Sequence, residues 1–283
     1  MLPLQVILSI TSMVMHNCVL NKSCKKDLPT EDHIHRFNIL SYLVCILLFG
    51  ILTIQGGLSW YTVGMGVLFG VITALSVFYK MKALANGPMH LTILITTASM
   101  ILPTFSGIFF GERFSLPKLL IVFVLLFFIY LSLGKKEGGG FNKVWFLYCG
   151  FAFLLQGSIG ILQKIHQSSS HKSETGGFLL IAFLCSLIYC IIRTKKSFSE
   201  VKFTKRTVIL SLLCGVCIFG MNFLNLRLSG LLPSQLFFPL INGSTIVIIS
   251  LISLLVFKEK LSVRQLIGLF GGIVSLILIC LVS

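Results

Sequence analysis

The chain has 283 residues, of which 56% are hydrophobic and only 11% are charged. Soluble domains carry about 25% charged residues, so this composition excludes an ordinary soluble globular protein. The net charge of +15 does not indicate a nucleic-acid-binding protein, because the basic residues lie in short clusters between apolar runs. Uncharged runs of roughly 20 residues match a helix that crosses a bilayer. We therefore predict an all-α polytopic membrane protein.

Ten apolar segments follow one another along the chain. They are residues 2–20, 37–55, 60–84, 88–110, 116–134, 143–166, 175–193, 206–229, 233–257 and 262–282. Between the fifth and sixth segments, residues 135–142 form a stretch rich in glycine and lysine that is typical of a linker. The chain is therefore predicted to divide into residues 1–134 and 143–283, with five helices in each half.

The two halves share sequence features at matching positions. Residues 70–88 and 215–233 are equally long, and both begin with glycine and end with proline. The sequence GERFS at 111–115 precedes the last segment of the first half, and KEKLS at 258–262 precedes that of the second. A repeat with an odd number of crossings enters the membrane in the opposite orientation the second time. We therefore predict two inverted five-helix repeats.

Each of these pentapeptides is predicted to form the short turn between the fourth and fifth helices of its half. The acid and base in each turn are interpreted as charges at the membrane surface. A chemical role for Glu112 or Glu259 would require a partner, and neither turn contains one.

The distribution of lysine and arginine predicts the orientation. The odd-numbered loops and the helix ends beside them hold 18 of the 23 basic residues, and the even-numbered loops hold 5. Because cytoplasmic loops carry an excess of basic residues, the odd loops are predicted to be cytoplasmic and both termini to lie outside.

Polar side chains deep in the apolar segments are the candidate substrate-binding residues, because burying them in a membrane is costly and usually functional. They are His16, Asn17, Thr97, Gln156, Ser158, Asn222, Asn225 and Asn242. The alternative is that they only join helices through hydrogen bonds worth about 0.6 kcal/mol each. Three further cations, Lys80, Lys82 and Arg227, lie near helix ends. They are interpreted as snorkelling anchors in preference to substrate contacts.

No pattern in the chain indicates an enzyme, a metal site or a cofactor. All eight acids fall in loops or at helix ends, and His33 and His35 lack thiolate or carboxylate companions that would complete a metal site. Most of the nine cysteines lie within apolar segments, where a free thiol behaves as a small hydrophobic group. The sequence also lacks the HExxH and GxSxG motifs of hydrolases.

The ten segments, the two turns, and Lys22 and Lys164 near the ends of the first and sixth segments resemble the EamA-type branch of the drug/metabolite transporter superfamily. The resemblance covers essentially the whole chain. It implies a central cavity surrounded by helices 1, 3, 4, 6, 8 and 9, with helices 5 and 10 at the periphery. The chain departs from the family in its reversed charge bias and in lacking a mid-helix proline in the ninth segment to match Pro103.

The expected function is secondary transport of a small polar metabolite, such as an amino acid, across the cytoplasmic membrane by alternating access. The expected partners are this solute and the lipid bilayer, without nucleic acid. A non-transporting membrane scaffold or receptor is one alternative, and a membrane-embedded enzyme is another.

Overall fold

The structure is a computed structural model that describes residues 2–87, 89–112, 115–132, 143–194, 203–255 and 262–282. These residues form a bundle of α-helices, and no strand occurs among them. The predicted linker at 135–142 lies outside the described residues, as do Arg113 and Phe114 of the first predicted turn and residues 258–261 of the second.

The described part of the chain contains eleven α-helices and one short 3-10 helix. The α-helices are α1 (Leu2–Lys26), α2 (Glu31–Gly56), α3 (Trp60–Asn86), α4 (Met89–Ala98), α5 (Ile101–Ser106), α6 (Leu116–Ser132), α7 (Lys143–Ser168), α8 (Thr175–Arg193), α9 (Lys205–Leu231), α10 (Ser234–Leu255) and α11 (Val263–Leu281). The 3-10 helix, Gly107–Phe110, directly follows α5. Nine of the ten predicted segments each correspond to one helix.

The fourth predicted segment, 88–110, is interrupted between α4 and α5. Pro103 lacks a backbone N–H, and its ring clashes with the carbonyl four residues earlier, which belongs to Ser99. The chain turns there, and the amide of Met100 donates to the carbonyl of Thr97 over 3.0 Å. The 3-10 helix then ends at Gly111, whose φ of 70° is left-handed and favours glycine. Helix 4 of the predicted order is therefore α4, α5 and the 3-10 helix together.

The described helices have the length and apolar character that suggest a membrane protein. Six of them, α1, α2, α3, α7, α8 and α9, are long and apolar enough to cross a membrane, and four shorter apolar helical stretches accompany them. The outward faces of α6 and α11 carry large exposed apolar side chains, including Phe123, Phe127, Phe270 and Ile277. Such faces suit contact with lipid chains, because lipid takes the place that water has around a soluble protein.

The two halves of the chain pack against each other more than within themselves. Helix α2 packs on α8 and α9, α3 packs on α7 and α8, and α1 packs on α9 and α10. The outer helices α6 and α11 pack on each other, and α5 packs on α10. Each helix of the first half has a counterpart at the same position in the second half. When the counterparts are exchanged, the same main pairs of helices are in contact.

One close contact between helices occurs twice. A Cβ atom on Gly70 of α3 would lie 2.2 Å from the carbonyl oxygen of Ala182, and the hydroxyl of Ser186 donates to the Gly70 carbonyl over 2.8 Å. In α9, a Cβ atom on Gly215 would lie 2.6 Å from the carbonyl oxygen of Ser41, and the Cys45 thiol donates to the Gly215 carbonyl over 3.4 Å. Small residues let helix backbones approach in this way. Gly70 and Gly215 are therefore positions of close helix packing in the two halves.

Polar contacts between connecting segments form two separate sets among the described residues, one at each end of the bundle. At end A the contacts join the segments after α2, after the 3-10 helix, after α7 and after α9; they involve Ser59, Glu112, Lys164, Glu174 and Ser234. At end B the contacts involve Asp27, Glu31, Lys82, Thr92, Trp145 and Arg206. Consecutive helices of the predicted order therefore run in alternating directions.

Candidate functional site

The inner face of α1 carries a row of polar or polarisable side chains. Ser9, Met13, His16 and Asn17 have the i, i+4, i+7, i+8 spacing that places them on one side of an α-helix. We call these four residues the α1 polar face. They lie where α1 packs against α3, α9 and α10, and therefore where the two halves of the chain meet.

The N-terminal part of the α1 polar face binds α9 and α10. Ser9 donates its hydroxyl hydrogen to the side-chain oxygen of Asn225 in a short hydrogen bond. The Asn225 amide nitrogen in turn lies 3.6 Å from the sulfur of Met13. The hydroxyl of Thr245 in α10 lies 3.9 Å from the same sulfur. The Thr245 hydroxyl donates its one hydrogen to the carbonyl of Ile241 over 2.7 Å. A thioether is a weak acceptor, so the Asn225 amide retains donor capacity at this junction, whereas Thr245 can only accept.

The C-terminal part of the α1 polar face binds α3. Lys80 donates from Nζ to the side-chain oxygen of Asn17 over 2.7 Å, and the Asn17 amide nitrogen donates to the carbonyl of Met13 over 2.8 Å. His16 is 4% exposed, and its Nε2 has no hydrogen-bond partner in the described part of the chain. It lies near enough to Lys80 for an electrostatic interaction. The Nε2 atom of His16 and the ammonium group of Lys80, which both have unused hydrogen-bonding capacity, therefore lie near each other.

Gln156 makes a separate contact between the halves. Its side-chain oxygen accepts a hydrogen bond from the hydroxyl of Ser76 in α3 over 3.1 Å. Ser158, two residues further on, instead donates to the carbonyl of Leu154 in its own helix over 2.9 Å. Only the first of this predicted pair therefore reaches a neighbouring helix.

Like Gln156 and Ser158, three further predicted residues do not join the α1 polar face through a hydrogen bond that the structure shows. Asn222 is buried and donates to the carbonyl of Ile218, and Asn242 donates to the carbonyl of Phe238, both over 2.9 Å within their own helices. Thr97 is half-buried at the end of α4. Asn222 and Asn225, although three residues apart, therefore have different partners.

The grooves found in the described residues lie away from the predicted site. One, of about 400 Å³, lies between α10 and α11 and is lined mainly by apolar side chains such as Leu240, Val247 and Ile273. Another, of about 330 Å³, follows one face of α7 between Phe146 and Leu154. None of the eight predicted residues lines either groove.

Glu112 has a charged partner from outside its own turn. Nζ of Lys164 lies 2.5 Å from Oε1 of Glu112, and the other carboxylate oxygen accepts the amide of Ser234 over 2.7 Å. Ser234 is the first residue of α10, so the carboxylate meets a helix N-terminus, where negative charge is favoured. The sequence missed this pair because Glu112 lies in the turn after the 3-10 helix and Lys164 lies in α7, far from it along the chain.

A second carboxylate at end A joins the N-termini of α3 and α8. Glu174 accepts the backbone amide of Ser59 over 2.8 Å and its hydroxyl over 2.7 Å, and His171 Nδ1 lies 3.0 Å from the other oxygen. Desolvation raises the pKa of Glu174, but hydrogen bonds from Thr62, Ser59 and His171 outweigh it and lower the pKa to about 2. Glu174 is therefore a stabilising anion at neutral pH.

The residues that the sequence missed share a simple reason. Ser9, Met13 and Thr245 are ordinary constituents of an apolar helix, and no pattern distinguishes them. The sequence indicates an anchor at Lys80, because it lies six residues before Asn86, the last residue of α3, within the range of a snorkelling side chain.

Comparison with known proteins establishes the fold and no more. No protein-family model and no curated protein sequence matches the chain. Solved structures with a similar fold exist. One, described only as the crystal structure of a protein, is similar over 99% of both chains with a TM-score of 0.70 and 15% sequence identity. At this identity the likeness concerns the helical architecture alone.

Proposed function

We propose that the chain is a secondary transporter, similar to the EamA-type drug/metabolite transporters, that moves a small polar metabolite by alternating access. The observation that carries this proposal is the α1 polar face. It brings Asn17, Asn225, Thr245 and Lys80, from four helices of both halves, to one junction inside an otherwise apolar bundle. Polar groups gathered at the interface of two repeats are the usual form of a transporter site.

The duplicated packing supports the same proposal. The main helix pairings are unchanged when the halves are exchanged, as two inverted five-helix repeats would require. Alternating access needs two such halves that can rock against each other around a fixed site. We place the chain in the cytoplasmic membrane with end B, which contains the basic odd loops, in the cytoplasm. A reporter that works only in the cytosol can be fused to the C-terminus. Activity of that fusion would contradict this orientation.

Uptake into liposomes tests the transport function. Purified protein is reconstituted into liposomes that are loaded with unlabelled amino acids, other carboxylates, amines or polyols. Exchange of the internal solute for the same solute, labelled and added outside, is then measured. We expect at least one solute to exchange and Asn225→Ala to slow that exchange. Thr11→Ala is the matched control, because Thr11 lies on the exposed side of α1 and bonds only to the carbonyl of Ile7. If no solute in the panel exchanges, the proposed function is wrong.

A further inference from the structure

We propose that Lys80 binds a carboxylate group of the solute, so that the substrate is a small carboxylate, an amino acid included. This inference rests on the proposed transport function and assigns the chemical class of its substrate. It starts from a comparison of three lysines in the described residues, all of which lie near helix ends in the sequence but have different surroundings.

Lys164 has the surroundings of a structural lysine. Its ammonium group meets the carboxylate of Glu112 at 2.5 Å and the carbonyls of Ser229 and Leu232 at 3.0 and 3.4 Å. An ammonium group has three hydrogens to donate. All three have an acceptor here, and the charge is neutralised by a carboxylate.

Lys82 has the surroundings of a surface anchor. Its ammonium group lies 2.5 Å from the carboxylate of Glu31, whose side chain is 48% exposed, and 5.7 Å from the centre of the Phe78 ring. Its charge is paired at the rim of the bundle and open to solvent.

Lys80 differs from both, because its charge has no counter-ion. Among the described residues its ammonium group has one hydrogen-bond acceptor, the neutral amide of Asn17, and no carboxylate lies within 4.0 Å. Its ionisable neighbours include the thiols of Cys24 and Cys214 and the imidazole of His16. Lys80 is half-buried, and a cation partly withdrawn from water without an anion is costly. A bound carboxylate would supply the missing charge and accept the unused hydrogens.

The partner of the Lys80 side chain favours a ligand over a snorkelling role. A snorkelling lysine extends toward the nearer membrane surface. The Lys80 backbone lies about 9 Å from the end of α3, at 1.5 Å per residue. Its ammonium group bonds to the Asn17 amide, on the face of α1 that packs against α3, α9 and α10. It is therefore held by a neutral group between the helices and is not paired with a carboxylate at the rim as Lys82 is.

The neighbouring groups fit a carboxylate better than a phosphate. A single lysine balances one negative charge, whereas a phosphate at neutral pH carries between one and two. His16 offers a further nitrogen that can donate or accept according to its tautomer. Asn225 and Thr245 lie beside Met13, one turn of α1 from Asn17. They can contact the remainder of a small polar molecule.

Ligand-dependent thermal stability tests the inference separately from transport. Detergent-purified protein is heated with amino acids and simple carboxylates, with their uncharged amides, with primary amines and with phosphate esters. A ligand that binds only the folded state raises the melting temperature. We expect at least one carboxylate to stabilise the wild type and its amide to have no effect. Lys80→Met should weaken carboxylate binding by about tenfold or more, because a charge-assisted hydrogen bond is lost.

Two further variants separate binding from folding. Lys82→Met removes a charge two residues away on the same helix and should leave the carboxylate effect intact. Lys80→Arg keeps the charge and should retain part of it. Stabilisation by amines or phosphate esters alone, an unchanged carboxylate response in Lys80→Met, or no response to any carboxylate would each overturn the inference. Exchange of a solute without a carboxylate, unaffected by Lys80→Met, would also overturn it while leaving the transport function standing.

Discussion

Breaking the ion pair between Glu112 and Lys164 is expected to destabilise the fold more than removing a charge at the rim of the bundle. The two side chains are 15% and 9% exposed, and the carboxylate is packed against Gly107, where an added Cβ would lie 2.4 Å from Oε2. Removing one partner of a buried pair costs about 3–5 kcal/mol. Glu112 keeps two hydrogen bonds from Ser234, so for Lys164→Met we expect the lower end, about 3 kcal/mol.

Thermal unfolding in detergent measures this cost, followed with a dye that reacts with thiols as buried cysteines such as Cys214 become exposed. At about 2–4 °C per kcal/mol, Lys164→Met should melt roughly 10 °C below the wild type. The control Lys82→Met breaks an exposed pair worth about 0–1 kcal/mol and should melt within a few degrees of the wild type. Adding Glu112→Gln to Lys164→Met should restore part of the loss. Equal melting temperatures for the two lysine variants would refute the reasoning.

Three other predictions concern stability in the same assay. Gly70→Leu should prevent folding or lower the melting temperature sharply, because its Cβ would meet the Ala182 carbonyl at 2.2 Å, whereas Gly64→Ala, with nothing within 4 Å, should be neutral or stabilising. Since its pKa is about 2 against an ordinary value of 4.5, Glu174 contributes stability above about pH 4.5 that is lost as the pH falls toward 2; the melting temperature of Glu174→Gln should therefore depend less on pH in that range. Lys80→Met should melt at or above the wild type without ligand, because it removes an uncompensated charge; a large loss would mean that the lysine is structural.

The helices could be predicted because the length and polarity of each apolar run decide whether it can cross a bilayer. The interruption at Ser99 was missed although Pro103 was visible, because a proline in a membrane helix can also kink it without ending it. Neighbouring helices and side chains decide between these outcomes. The sequence identifies the residue that lacks a donor but does not show how the rest of the chain satisfies the freed carbonyl.

The candidate site was only partly predictable, because the sequence shows which side chains are polar but not which neighbouring helix each one contacts. His16, Asn17 and Asn225 were identified because amides and imidazoles are rare in apolar segments, and each lies at the α1 junction. Asn222 met the same criterion but bonds to its own helix. Lys80 was assigned to the surface because six residues from a helix end is within the range of snorkelling. Its actual partner is Asn17, 63 positions away in the chain.

The predicted repeat makes the residues that differ between the halves informative. Lys80 and Asn225 are 145 positions apart, the same spacing as Gly70 and Gly215, so the predicted repeat gives them equivalent places in α3 and α9. Both bond to α1, at Asn17 and at Ser9. The glycine at the close contact occurs in both halves, whereas the residue ten positions after it is a cation in one half and a neutral amide in the other. A site with one charged and one neutral side distinguishes the two ends of a solute. Under the proposed function, it suits a molecule with a carboxylate at one end and hydrogen-bonding groups at the other.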